Sequence, residues 1–179
     1  MQPQSILHFW FTELTPKHHF AKDAALDETI RTRFGATLEA AARCELFAWR
    51  ATPEGRLAEV LVLDQFSRNV YRDTPRAFAQ DALALALAQE LVASRQDRSL
   101  PLAQRSFAYM PYMHSESELV HTQAVALFSQ PGMEDNLAFE LRHKQIIDRF
   151  GRYPHRNAVL GRTSSALELA FLSEPGSSF

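Results

Sequence analysis

"AEVLVLDQF", Ala58 to Phe66, is the stretch on which the reading of the fold turns. A half-buried strand would alternate apolar and polar side chains, and these nine residues do not. At 3.6 residues per turn their valine, leucine and phenylalanine side chains point to more than one face, as in a helix enclosed by other helices. The segment is therefore expected to be the heart of a central helix running from about Glu54 to Tyr71.

On its N-terminal side Leu26, Ile30, Phe34 and Leu38 recur one turn apart and predict a long helix from about Asp23 to Trp49, interrupted by Pro53 and Gly55. Phe9, Trp10 and Phe11 of "HFWF" are expected to close the core. On the C-terminal side Thr74, with Pro75 at the first helical position, opens a helix to about Ala93. A shorter helix from about Pro101 to Met110 stops at Pro111. Ser115 and Glu118 have the spacing of a capping box for a helix to about Ser129. Asp135 caps a helix to Phe150, with Gly151 beyond its end. Ser165 and Glu168 form a second box for the last helix, near Leu172, and the tail "SEPGSSF" is too polar to continue it. No alternating strand pattern and no Asn-Gly hairpin signal appears. The expected fold is all-α, a single domain of about seven or eight helices with short connections and antiparallel neighbours.

Composition narrows the function. The 179 residues are 46% hydrophobic, enough for one substantial core, and the net charge of -2 provides no basic field for nucleic acid. No nucleic-acid partner is expected. Cys44 is the single cysteine, which excludes an intrachain disulfide and an all-cysteine metal cluster and suits a reducing compartment. "MQPQSILHFWF" lacks the basic region and cleavage site of a signal peptide. "ALALALAQELVA" is well short of the roughly 20 residues that span a bilayer. A cytoplasmic protein without a membrane partner is expected. Among 19 basic residues only Lys17, Lys22 and Lys144 are lysines. Arginine suits bidentate anion binding and buried ion pairs, and a GC-rich genome gives the same bias, so both readings stand.

Polar residues interrupt stripes that should be buried. Leu57, Val60 and Leu61 continue at helical spacing to Asp64 and Arg68, and His143 shares a face with Phe139, Ile146 and Phe150. Tyr109 and His114 flank the apolar "MPYM". Between Arg142 and Arg162 there are six basic residues, Arg142, Lys144, Arg149, Arg152, Arg156 and Arg162, against one acid, Asp148. Such a cluster needs a bound anion or acids from elsewhere, for which Asp64, Asp81, Glu116 and Glu118 are candidates. In "RFGRYPHRN", Arg149 to Asn157, one helix ends at Gly151 and Pro154 starts another turn. Free backbone N–H groups with Arg152, His155, Arg156 and Asn157 would there receive phosphate, an external carboxylate or a carboxylate of the same chain.

No Gly-x-Ser-x-Gly elbow, P-loop, dinucleotide glycine pattern, His-Glu-x-x-His or EF-hand loop is present. His114, Glu116, His143, His155 and Asp64 are too generically spaced to specify a metal, so neither metal nor cofactor is expected.

Five segments carry a resemblance over essentially the full length: "HFWF", "LDQFSRNVYRDTPRAFAQDALALALA", "RSFAYMPYMHSE", "RFGRYPHRNAVLGR" and "ELAFLSEPGSSF". Together they resemble the bacterial domain of unknown function 924 family, of the tetratricopeptide-like all-α proteins. The resemblance implies stacked antiparallel helix pairs with a concave face, and no activity. Ser67 departs from a proline usual in the family, which implies a straighter central helix. The family's motif residues here are Asp64, Gln65, Arg68 and Asn69; Tyr109, His114 and Glu116; and Arg149, Arg152, His155, Arg156, Asn157 and Arg162. The three blocks are expected to converge on one polar pocket.

Three functions follow. The first is a binding module holding an anionic small molecule or acidic peptide. Arg152, Arg156 and Arg68 would supply charge, Asn69 and Asn157 orientation, Tyr109 an aromatic wall, and Asp64, His114, Glu116, His155 and Arg162 the remaining lining. The second is a structural or protein-interaction protein whose polar cluster is a salt-bridge network. The third is a hydrolase or lyase, with His114 or His155 as acid or base beside Asp64 or Glu116. An open pocket with facing histidines and carboxylates would favour the enzyme; a closed, fully paired network would not.

Overall fold

The computed structural model describes residues 1–177 and is all-α, with no strand among the described residues. Ser178 and Phe179, the end of the tail expected to be non-helical, lie outside them. The chain forms two compact units, Met1–Arg72 with Arg76–Pro111, and Asp73–Pro75 with the residues from Tyr112 onward.

The first unit contains α1 (Pro3–His8), α2 (Pro16–Phe20), α3 (Ala24–Ala42), α4 (Pro53–Leu61), α5 (Ser67–Val70), α6 (Asp81–Ala93) and α7 (Leu102–Met113) up to Pro111. Helix α4 is its centre, packed on α1 and α6, and every residue from 57 to 67 is buried. The expected α3 stripe is buried too, with Phe34 and Leu38 each 1% exposed. Phe34 lies 4.8 Å from Phe9 and 5.2 Å from Phe66, and Trp10 lies 5.7 Å from Phe66. Phe9 and Trp10 of "HFWF" thus close this core. Each fully buried ring contributes about 1.5–3 kcal/mol.

Two turns widen to π-helix, Phe9–Glu13 and Val62–Phe66, and these are the "HFWF" and "LDQF" segments. The central helix stays helical through Ser67, with the π turn Val62–Phe66 set between its α segments. Helix α3 stops seven residues before Trp49. Cys44 takes a left-handed φ of 59°, Glu45 N–H donates to Ala40 O and Cys44 N–H to Ala41 O. That is a complete Schellman stop without the usual glycine. After Thr74 the chain forms a 3-10 turn, Pro75–Phe78, before α6 begins, and Pro111 lies inside α7 instead of ending it.

In the second unit α8 (Glu118–Phe128) and α9 (Glu134–Phe150) pack together, joined through the Pro131-Gly132 turn. Ser117, not Ser115, precedes α8 and makes no side-chain cap. Helix α9 ends as read, on Gly151 at φ 67° with its N–H donating to Ile147 O at 2.7 Å. A 3-10 turn, Pro154–Arg156, and α10 (Ala166–Leu172) follow, and α10 opens with the Ser165 and Glu168 capping box. Tyr153, Ile146 and Ile147 form an apolar cluster with Phe150 and Phe171 against it.

Candidate functional site

Each unit has its own polar constellation. In the first, the helical spacing of α4 and α5 puts Asp64 and Arg68 one turn apart, and their ion pair is 3.1 Å long. Arg68 also grips Asp81 with both terminal nitrogens, at 2.8 and 3.0 Å. Asp64 is 1% exposed and accepts Gln65 Nε2 at 2.6 Å. Asn69 donates to Asp27 at 2.8 Å, and Arg72 clamps the same carboxylate at 2.6 and 2.7 Å. Burial pushes the Asp27 carboxyl up, but the hydrogen bonds from Arg72 and Asn69 outweigh it and hold it below the ordinary range. Tyr109, buried on α7, donates its hydroxyl to Asp97 at 2.5 Å.

In the second unit Glu116 is the hub of "RFGRYPHRN" and the turn after it. It accepts Tyr153 N–H at 2.8 Å and two nitrogens of Arg162 at 2.6 and 2.9 Å. Burial raises its pKa, and Arg162 with the Tyr153 N–H brings it below the ordinary value. Arg162 Nε continues to Asn157 Oδ1 at 2.9 Å, and Asn157 Nδ2 reaches Ser164 Oγ at 3.0 Å and Glu168 at 3.3 Å. Arg152 clamps Glu168 at 2.6 and 2.8 Å. That hydrogen bonding, with the Ser165 N–H, holds the Glu168 carboxyl far below the usual range. The tight loop from Gly151 to Asn157 is what brings these side chains together.

Of the remaining expected residues, Arg156 and His155 flank the Tyr153 ring. Arg156 lies over it at 4.6 Å and donates to the His114 carbonyl at 3.1 Å, and the His155 ring is 5.5 Å away. The eleven expected site residues therefore divide between the units. Asp64, Arg68, Asn69 and Tyr109 belong to the first; His114, Glu116, Arg152, His155, Arg156, Asn157 and Arg162 belong to the second.

Of the acids expected to compensate the basic cluster, Glu116 does so on Arg162, while Asp64 and Asp81 pair instead with Arg68 of the first unit. Arg152 is met by Glu168, which the sequence marks only as a cap, and nothing in the sequence points to Asp27 on Arg72 or Glu59 on Arg50. Fully buried Glu59 holds Arg50 at 2.6 Å, which raises the guanidinium's pKa further. Also missed was a buried pair between α8 and α9, His121 Nδ1 to Glu140 Oε1 at 2.7 Å, both residues 0% exposed. A signal for it exists: His121, Ala124 and Phe128 share a buried α8 stripe, and Glu140, His143 and Ile147 one on α9. His143 is also buried, and desolvation drops its pKa to about 3 although its Nδ1 donates to Phe139 O at 2.8 Å. Among the described residues no group of three or more histidine, cysteine, aspartate and glutamate side chains is arranged to hold a metal ion, and no helix is long and apolar enough to cross a membrane.

Residues 6–176 match the family described as bacterial protein of unknown function, DUF924. The chain is also similar to a solved structure, the protein of unknown function ATU0120 from Agrobacterium tumefaciens. The two are 36% identical over 96% of each chain, with a TM-score of 0.91. No curated protein matches.

Proposed function

The chain belongs to the DUF924 family of bacterial proteins of unknown function, and we propose that its arginine-rich blocks are internal clasps of a helical scaffold that recognises other proteins. One observation carries this reading. Arg68, Arg72, Arg152 and Arg162 each direct two guanidinium nitrogens at a carboxylate of their own unit, Asp81, Asp27, Glu168 and Glu116. The bidentate edge that would bind an outside phosphate or carboxylate is thereby in use. An external anion would have to displace a buried or half-buried acid and strand its charge, which costs several kcal/mol. Glu116, which a hydrolase or lyase would set beside His114 or His155, is instead held by two nitrogens of Arg162 and the Tyr153 N–H, and this favours the clasp reading. Recognition would fall to apolar side chains left in solvent on tetratricopeptide-like stacked helices. Phe20 is 72% and Phe47 69% exposed in the first unit, and Leu119 71% and Leu167 68% in the second.

The competing reading is an anionic small molecule or acidic peptide held by the eleven residues above. Melting curves against inorganic phosphate, nucleotides, phosphorylated metabolites and carboxylates separate the two. A ligand at about a hundred times its dissociation constant adds roughly 2.7 kcal/mol, or about 5 to 10 °C for a chain this long. The clasp reading expects no such shift, and expects Arg156→Ala to melt lower in every buffer. A shift that disappears in Arg156→Ala would replace it with the anion site.

A further inference from the structure

The buried pair of α8 and α9 has a proton inventory that its geometry dictates. Tyr153 donates its hydroxyl proton to Met113 O at 2.6 Å, so its oxygen presents lone pairs to His121 Nε2, 3.1 Å away. Nε2 also lies 2.8 Å from the Ser115 carbonyl oxygen. Two acceptors therefore face Nε2, which must carry a hydrogen. On the other side of the ring Nδ1 and Glu140 Oε1 are 2.7 Å apart, and a lone pair facing a carboxylate lone pair at that distance is repulsive. A second proton has to sit between them, either on His121 as imidazolium or on Glu140 as a carboxylic acid. Both placements hold the same number of protons. Both residues are fully buried, so the contact is shielded from bulk water.

We propose that His121 and Glu140 form a proton-dependent latch: the second unit closes α8 onto α9 and Tyr153 only with one more proton than the unfolded chain holds above neutral pH. In the unfolded chain histidine releases its proton near pH 6.5 and glutamate near 4.3. Between those values both states hold one titrating proton for the pair and the latch is insensitive to pH. Above 6.5 the unfolded chain holds none and the folded one still holds its proton, so folding takes one up. Each further pH unit then raises the unfolding constant about tenfold, until the folded pair itself releases the proton. The sign agrees with Glu140, whose pKa is raised by burial against the lowering effect of His121, since a raised group stabilises at low pH and loses that contribution as pH rises. Among neighbouring charges, Lys144 of α9 acts on Glu140 and is itself acted on by Glu118 of α8, and His121 acts with His114 and His155 on His143 of α9. None of these neighbours lies between the two partners.

The latch makes the α8 and α9 pair of this chain a pH-sensitive element, loosening under mildly alkaline conditions. Glu140→Gln isolates it, because the amide N–H of glutamine can donate to Nδ1 without any titrating proton. The full chain and this variant are compared by hydrogen exchange of α8 and α9 amides from pH 6 to 8.5, corrected for intrinsic exchange. The wild-type opening constant is expected to rise up to tenfold per unit above about pH 6.5, and that of Glu140→Gln to stay flat. Parallel profiles would overturn the latch. If the variant does not fold, the nitrogen chemical shifts of His121 in the wild type at pH 7.5 decide. A protonated Nε2 together with a proton shared between Nδ1 and Glu140 is expected; a neutral ring protonated at Nδ1 alone would overturn it.

Discussion

Removing Arg162 puts the clasp at risk most sharply, because that side chain holds three things at once. Two of its nitrogens bind Glu116, its Nε binds Asn157 Oδ1, and Nη2 also reaches the Tyr153 carbonyl at 3.0 Å. Its side chain is 23% exposed and that of Glu116 26%, so the pair is neither a surface bridge nor a fully buried one. Exposed pairs are worth about 0–1 kcal/mol and breaking a buried pair costs about 3–5, which places Arg162→Ala at about 2–3 kcal/mol. Glu116→Ala, which strands the Tyr153 N–H, is expected to cost about 2 kcal/mol. If the partners act through each other, the double variant costs about 1.5 kcal/mol less than the two singles added together. Tryptophan fluorescence is the wrong probe, since Trp10 and Trp49 both belong to the first unit. Urea unfolding followed by circular dichroism, with hydrogen exchange of α9 amides, reads the affected unit. Single costs below about 0.5 kcal/mol with no coupling would refute the clasp, because a pair that stabilises nothing is free to bind something else.

Other substitutions test the packing. Gly55→Ala should destabilise the first unit by about 2–4 kcal/mol, seen by tryptophan fluorescence, because a Cβ there would collide with the backbone carbonyl of Trp49. Cys44→Gly should raise the melting temperature by about 2 °C, since glycine accepts the left-handed φ of 59° without steric cost. His143 is held neutral, with a pKa of about 3, so folding excludes a proton that the unfolded chain binds below pH 6.5. Stability should fall by up to about 1.4 kcal/mol per unit as pH drops from 6.5 towards 3, and His143→Leu should flatten that acid limb in urea titrations.

Much of the fold was legible because burial leaves a period. The Leu26 to Leu38 stripe, the enclosed face of "AEVLVLDQF" and the Ser165 box all formed as spaced. Stops made without glycine or proline were not legible. Cys44 adopts the left-handed position through the Ala40 and Ala41 carbonyls, and nothing in a cysteine announces that. Pro111 misled in the opposite direction, because α7 continues past it. In the polar blocks the basic members stood out by density, whereas their partners are distant in sequence: Asp27 is 45 residues from Arg72, and Glu116 is 46 from Arg162. An arginine cluster read without its acids looks like an anion receptor. Glu168 had a plain capping role in the sequence and Asp27 none, and only the folded chain reveals the charges they meet.

The most direct measurement is the NMR spectrum of the arginine Nε–H groups while inorganic phosphate is titrated into the protein at constant ionic strength. Arg152 and Arg162, each held through Nε as well as through terminal nitrogens, should give slowly exchanging signals that phosphate leaves in place. Saturable shifts of those signals, abolished by Arg156→Ala, would contradict the clasp and show that the arginines answer to an anion from outside.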